Sequence, residues 1–224
     1  MKVIDVGCGA GKDLSRLESM VESIGEVVGL DISKEMVECA NARMSSLPNV
    51  SVLCANATAI PFAEDYFDAC RCERLLQHVP QPSEVIEEMV RVTKTGGRIS
   101  ITDIDWWSST ISMETESGER INNAITRGVV FNPNPSVGRH IRAHMSRTKK
   151  IVELDMFAQC LFTDTLAQAD ELLWLGERGK MAVQQNVISE DDYILWRQEL
   201  EKMEEEGSFV FTINLYTVSG TISK

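Results

Sequence analysis

The chain has 224 residues, long enough for one well-packed α/β domain, and no linker-like stretch divides it. Its formal net charge of −12 is a poor footing for nucleic acid phosphates, whose capture rests on Lys and Arg. Cys8, Cys39, Cys54, Cys70, Cys72 and Cys160 lack C-x-x-C spacing, which speaks against a metal site and for a reducing compartment. Cys70 and Cys72 read as small packing residues on one strand face. No secretory signal opens the chain and no apolar run reaches the length of a membrane span, so the expectation is a cytoplasmic protein.

The first predicted strand, Val3-Ile4-Asp5-Val6, runs into Gly7-Cys8-Gly9-Ala10-Gly11 and then a helical pattern marked by Leu14, Leu17, Val21 and Ile24. A glycine turn between strand and helix lets backbone approach a ligand and offers unpaired N–H groups. A dinucleotide fingerprint begun at Gly7 needs glycine where Lys12 stands, and a P-loop needs a glycine at Val6 and a hydroxyl residue at Asp13. Neither fits. What remains is acid-x-G-x-G-x-G, Asp5 through Gly11, followed by the strand Glu26-Val27-Val28-Gly29-Leu30-Asp31, whose closing acid is placed to hydrogen-bond ribose hydroxyls. A carboxylate beside the turn repels a pyrophosphate and tolerates a cationic ligand.

Met36, Val37, Ala40 and Met44 predict a second helix after a Ser33 cap, and Val85, Ile86, Met89 and Val90 another, capped by Ser83 and stopped by Gly96-Gly97. This alternation implies a mostly parallel twisted sheet with helices on both faces and a ligand across the carboxyl ends of strands one, two and four.

These residues resemble the class I S-adenosylmethionine-dependent methyltransferases, and Cys72-Glu73-Arg74-Leu75-Leu76-Gln77-His78-Val79 followed by Asp103-Ile104-Asp105-Trp106-Trp107 resembles their small-molecule branch. Ala55-Asn56-Ala57-Thr58-Ala59-Ile60-Pro61-Phe62 is similar to the family's third motif, with an amide at Asn56 where an acid is usual; its carbonyl can still accept from an adenine amino group. Tyr66 to Cys72 resembles the fourth strand, and Thr95-Gly96-Gly97-Arg98-Ile99-Ser100-Ile101 the turn and fifth strand. The resemblance implies an α/β, Rossmann-like, seven-stranded mostly parallel sheet with its last strand antiparallel and helical insertions after strands five and six. It implies S-adenosylmethionine as cofactor, held by Asp5, Gly7, Gly9, Gly11, Asp31, Ile32, Asn56, Ala57 and Arg71. The family places one or more helices before strand one, whereas Val3 lies two residues after Met1, so weaker cofactor binding than in a full-length relative is expected.

After Asp103-Ile104-Asp105-Trp106-Trp107, a polar stretch to about Lys150 reads as a helical insertion, interrupted by Asn132 to Pro135. Within it, Arg139, His140, Arg142, Arg147, Lys149 and Lys150 read as a solvated basic helix face. Ile151 to Phe162 predicts a strand-pair element, and Phe209 to Tyr216 alternates as a half-buried strand. Between them, Ser189 to Glu206 predicts an acidic amphipathic helix with Tyr193, Trp196, Leu200 and Met203 on one face. The organisation expected is a single domain, 1–224, with a cofactor core over 1–104 and acceptor-side insertions over 105–150 and 164–207.

The reaction implied is in-line displacement at a sulfonium methyl group, for which the protein aligns a nucleophile and excludes water. Residues after strands four and five face the reacting end. His78 is the base candidate, with Glu73 and Asp103 as further proton acceptors, and Gln77, Asp105 and Trp106 as acceptor contacts. His140 and His144 share helical spacing without a following glutamate, so no metal role is expected. A nicotinamide-dependent oxidoreductase and a noncatalytic binding protein of the same fold are the alternatives.

Overall fold

The computed structural model describes residues 1–21, 24–128 and 132–224. Its sheet has seven strands in the order β3-β2-β1-β4-β5-β7-β6: β1 Lys2–Val6, β2 Glu26–Asp31, β3 Val50–Cys54, β4 Phe67–Glu73, β5 Thr93–Ile111, β6 Ile151–Thr163 and β7 Phe211–Ile222. The pairs β1·β2, β1·β4, β2·β3 and β4·β5 are parallel, and β5-β7-β6 is antiparallel. The expected Rossmann-like fold class is what the chain adopts, and the order reverses between β1 and β4, where a crevice opens at the strands' carboxyl ends.

The chain divides into two compact units. The first comprises Met1–Asp103, Val137–Phe157 and Tyr216–Lys224. Here the period-2 alternation of strand residues sorts the apolar side chains into two layers. Val3 and Val27 join Leu14 and Val21 of α1 (Leu14–Val21) and Val37, Ala40 and Met44 of α2 (Lys34–Met44) on one face. Ile4, Val6, Val28 and Leu30 join Ile86 and Met89 of α3 (Pro82–Val92) and Ile141 and Met145 of α5 (Val137–Arg147) on the other. Helices therefore cover both faces, because both faces of these strands are apolar.

The second unit comprises Ile104–Ser136 and Ala158–Leu215. Its helices are α4 (Glu116–Gly128), α6 (Leu166–Leu173), α7 (Leu175–Gln184) and α8 (Glu190–Glu205). They enclose a separate core around Trp196, which is fully buried with Leu200 and Met203. Ser189 starts α8 through a capping box with Asp192, so the acidic amphipathic helix stands where its pattern put it.

Several local expectations are corrected. Ile24 lies in a turn beyond α1 and is 91% exposed. The N-cap of α3 is Gln81, with Pro82 preset for the first helical position; Ser83 sits inside the first turn, its hydroxyl 3.1 Å from His144 Nδ1. That helix ends at Val92, ahead of Gly96-Gly97, which instead lie in a register shift between Phe67↔Thr93 and Ala69↔Arg98. β5 runs on through the polar Ser108-Ser109-Thr110 to Ile111, where the Ser108 hydroxyl accepts from the Asn214 N–H at 2.9 Å. Ile151–Thr163 is one strand rather than a pair, and β7 extends six residues past Tyr216, to Ile222.

Candidate functional site

The glycine turn hangs from β2. The Gly7 and Cys8 N–H groups donate to the Leu30 carbonyl at 2.7 and 3.0 Å, and the Gly9 N–H donates to the Asp31 carboxylate at 2.8 Å. The other Asp31 oxygen accepts from the Ser33 N–H at 2.9 Å, at the start of α2. Two main-chain donors thus fix this carboxylate, and since an ionised carboxylate has about four acceptor positions, capacity is left for a diol. Gly9 has φ +53, and a Cβ placed on it would meet no atom within 4 Å. The turn therefore shows bare backbone to a cavity of about 550 Å³.

Asp5, Gly7, Gly9, Arg71, Glu73 and His78 of the expected site line this cavity together. Asp5 is 4% exposed, and burial raises its carboxyl from the ordinary 3.8 to about 6 against the lowering influence of Arg71. Arg71 gathers three acids: Asp5 at 3.6 Å, Asp13 at 3.2 Å and Glu73 at 2.5 Å. Burial pushes the Cys8 thiol up to about 12, aided by Asp5 and Asp31, so the sulfur in this wall is a neutral thiol and a poor nucleophile.

The remaining expected residues stand elsewhere. The α-carbon of Gly11 packs between α1 and α2, where a Cβ would come 3.0 Å from Ala40 Cβ. Ile32 is 70% exposed, and Ala57 belongs to the core. Asn56 is exposed and its Oδ1 accepts from the Thr58 N–H at 3.0 Å, an Asx-type turn. Asp103 is fully buried and accepts from the Gln77 N–H at 3.2 Å; Gln77, itself 1% exposed, donates through Nε2 to the Arg74 carbonyl at 3.3 Å. Neither Asp103 nor Gln77 is in the cavity wall. In the second unit, Asp105 is buried and accepts from the Trp107 N–H at 3.2 Å, while the Trp106 ring packs under the Arg178 guanidinium at 4.1 Å.

Cys8, Ala10, Lys12, Asp13, Met36 and Arg74 complete the cavity wall without having been singled out. Lys12 and Asp13 are the first two residues past the glycine turn. Arg74 lies in the segment Cys72 to Val79 and reads from the sequence only as an ion-pair candidate for Glu73 or Asp103, not as a cavity residue. Among the described residues no group of three metal-ligating side chains comes together, and His144 lies on α5 beside Ser83.

A family model described as "Methyltransferase domain" matches residues 1–207. An uncharacterized 37.1 kDa transposon protein of Streptomyces fradiae is 31% identical over 96% of this chain and 61% of its own length. A demethylmenaquinone methyltransferase of Staphylococcus aureus is 36% identical over 44% of this chain and 41% of its own length. A ubiquinone biosynthesis O-methyltransferase of Proteus mirabilis is 35% identical over 57% of this chain and 51% of its own length. The chain therefore spans less than two thirds of these relatives. Among solved structures, the YcgJ protein of Bacillus subtilis superposes with a TM-score of 0.68 at 20% identity, covering 100% of this chain and 92% of that one, a likeness of fold. With 207 of its residues matched by the family model, the chain belongs to the methyltransferase-domain family.

Proposed function

We propose that this chain binds S-adenosylmethionine in the cavity beside the glycine turn and directs its methyl group to a small-molecule acceptor. The observation that carries this reading is the Asp31 carboxylate, which closes β2, grips the Gly9 N–H and keeps acceptor capacity beside bare backbone. The residues fit the cofactor. A 2′,3′-diol suits Asp31, and the acids Asp5, Asp13 and Glu73 offset the charge of a sulfonium while Arg71 keeps them from repelling one another. Asn56, whose Oδ1 already accepts from Thr58, retains a second lone pair for an adenine amino group.

The cofactor supplies a methyl group already activated by positive charge. The chain's part is to hold, orient and exclude water. His78 lines the cavity and is read as the side chain that takes the proton of the acceptor. Asp103 serves instead as a positioning residue, because its buried carboxylate holds the turn that carries His78. The segments 105–150 and 164–207 are read as acceptor-side insertions. The relatives named for demethylmenaquinone and for ubiquinone biosynthesis support a small metabolite as acceptor. Six free cysteines support a cytoplasmic setting, and no described helix is long and apolar enough to cross a membrane.

The test is transfer of radiolabelled methyl from S-adenosylmethionine across a panel of small hydroxylated and amino metabolites, with NADH as competitor in thermal shift. Label in a metabolite and no competition by NADH support the reading. Displacement of S-adenosylhomocysteine by NADH would favour an oxidoreductase, and binding with no transfer to any acceptor a noncatalytic protein.

A further inference from the structure

We propose that Arg74 selects the acceptor: it pairs with an anionic oxygen, that of a phenol or enol in its ionised form, and holds it at the exit of β4. This deepens the methyltransferase reading and rests on it.

The first observation is backbone. Arg74 has φ +55, in the left-handed region that costs a residue with a Cβ about 1 kcal/mol or more. The position is held from both sides. Its N–H donates to the Thr102 carbonyl at 2.8 Å, and its carbonyl accepts from Gln77 Nε2 at 3.3 Å. Gln77 is in turn fixed by the buried Asp103 carboxylate through its own N–H. A buried polar scaffold thus keeps an arginine in a conformation that glycine would adopt without strain. The backbone alone does not need the guanidinium, so its use lies in what the side chain meets.

The second observation is the electrostatics of the wall. Arg74 lines the same cavity as His78, directly after the carboxyl end of β4. Arg71, the neighbouring guanidinium, is already taken by Asp5, Asp13 and Glu73. Arg74 makes no ion pair among the described residues and stands exposed. A planar guanidinium at a cavity rim gives a charge-assisted, directional hydrogen bond to an oxyanion.

The chemistry closes on this arrangement. The acceptor hydroxyl gives its proton to solvent or to the His78 imidazole, and its oxyanion rests on Arg74. An oxygen lone pair then forms the new O–CH3 bond as the C–S bond breaks, its electron pair returning to sulfur as a neutral thioether. Arg74 lowers the acidity barrier of the first event and fixes the direction of the second.

The test titrates S-adenosylhomocysteine-saturated protein with 4-nitrophenol at a pH where it is ionised, and with 4-nitroanisole as a neutral analogue. The expected result is at least a tenfold preference for the anion in the wild type, reduced to within twofold in Arg74→Gln and Arg74→Gly. Arg74→Gly is expected to unfold at the same or higher urea concentration, since it relieves the left-handed residue, which separates folding from recognition. The affinity of each variant for S-adenosylhomocysteine is measured first and the ligand kept saturating, so that the anion preference is read on loaded protein. No anion preference in the wild type, or a preference surviving in Arg74→Gly, would overturn the proposal. Failure of the wild type to bind S-adenosylhomocysteine would instead overturn the cofactor reading.

Discussion

The carboxylate of Asp31 accepts the Gly9 N–H at 2.8 Å, joining the end of β2 to the turn that follows β1. One side chain thereby sets the height of the backbone that a ligand would touch. The same carboxylate takes the Ser33 N–H, so the start of α2 is tied to the same point.

Gly9 and Gly11 separate binding from folding. Both have positive φ, but a Cβ at Gly9 enters open space whereas one at Gly11 meets Ala40 at 3.0 Å and Leu14 at 3.2 Å. Gly9→Ala is expected to cost about 1 kcal/mol of stability and to weaken S-adenosylhomocysteine binding on the order of tenfold, one methyl group crowding the ligand. Gly11→Ala is expected to cost about 2 kcal/mol or more through strain and overpacking. Urea unfolding and calorimetry on both variants distinguish the two effects.

Asp5 makes stability depend on pH. Burial raises its folded-state value from 3.8 to about 6, so between these limits the folded chain binds more proton than the unfolded one, and stability falls as pH rises. The window closes near pH 6 and amounts to about 3 kcal/mol in all, taking 1.36 kcal/mol per unit. Asp5→Asn removes this dependence. The urea midpoint of the wild type is expected to drop relative to the variant between pH 4 and 7, and parallel midpoints would refute the assignment.

Thiol labelling reads the cavity directly. Cys39, Cys54 and Cys160 are exposed, Cys70 and Cys72 are buried with their thiols pushed up by burial, and Cys8 lies between. A disulfide reagent is expected to modify three thiols quickly, Cys8 slowly and the buried pair only after unfolding. Saturating S-adenosylhomocysteine is expected to slow Cys8 further, because Cys8 lines the cavity.

The strands that are continuous apolar runs bounded by polar residues were legible residue by residue: β2 closes at Asp31 and α2 starts after Ser33, because local propensity and burial agree there. Where they diverge, reading failed. Ser108-Ser109-Thr110 reads as loop and is strand, since tertiary hydrogen bonds satisfy its hydroxyls. Ile24 continues an apolar helical pattern yet is exposed. In the site, the glycine turn and its two acids were visible as a motif. The depth of Asp103 and Gln77, the pairing of Arg71 with Asp5 and Asp13 and the left-handed Arg74 were not, because each depends on residues far apart in the chain.

Calorimetric titration with S-adenosylhomocysteine of the wild type and of Asp31→Ala tests the central claim most directly, with urea unfolding of both to show that the variant folds. The account predicts saturable binding to the wild type and a loss of at least about tenfold in the variant, the scale of one charge-assisted hydrogen bond. Equal affinity in a folded variant would contradict it.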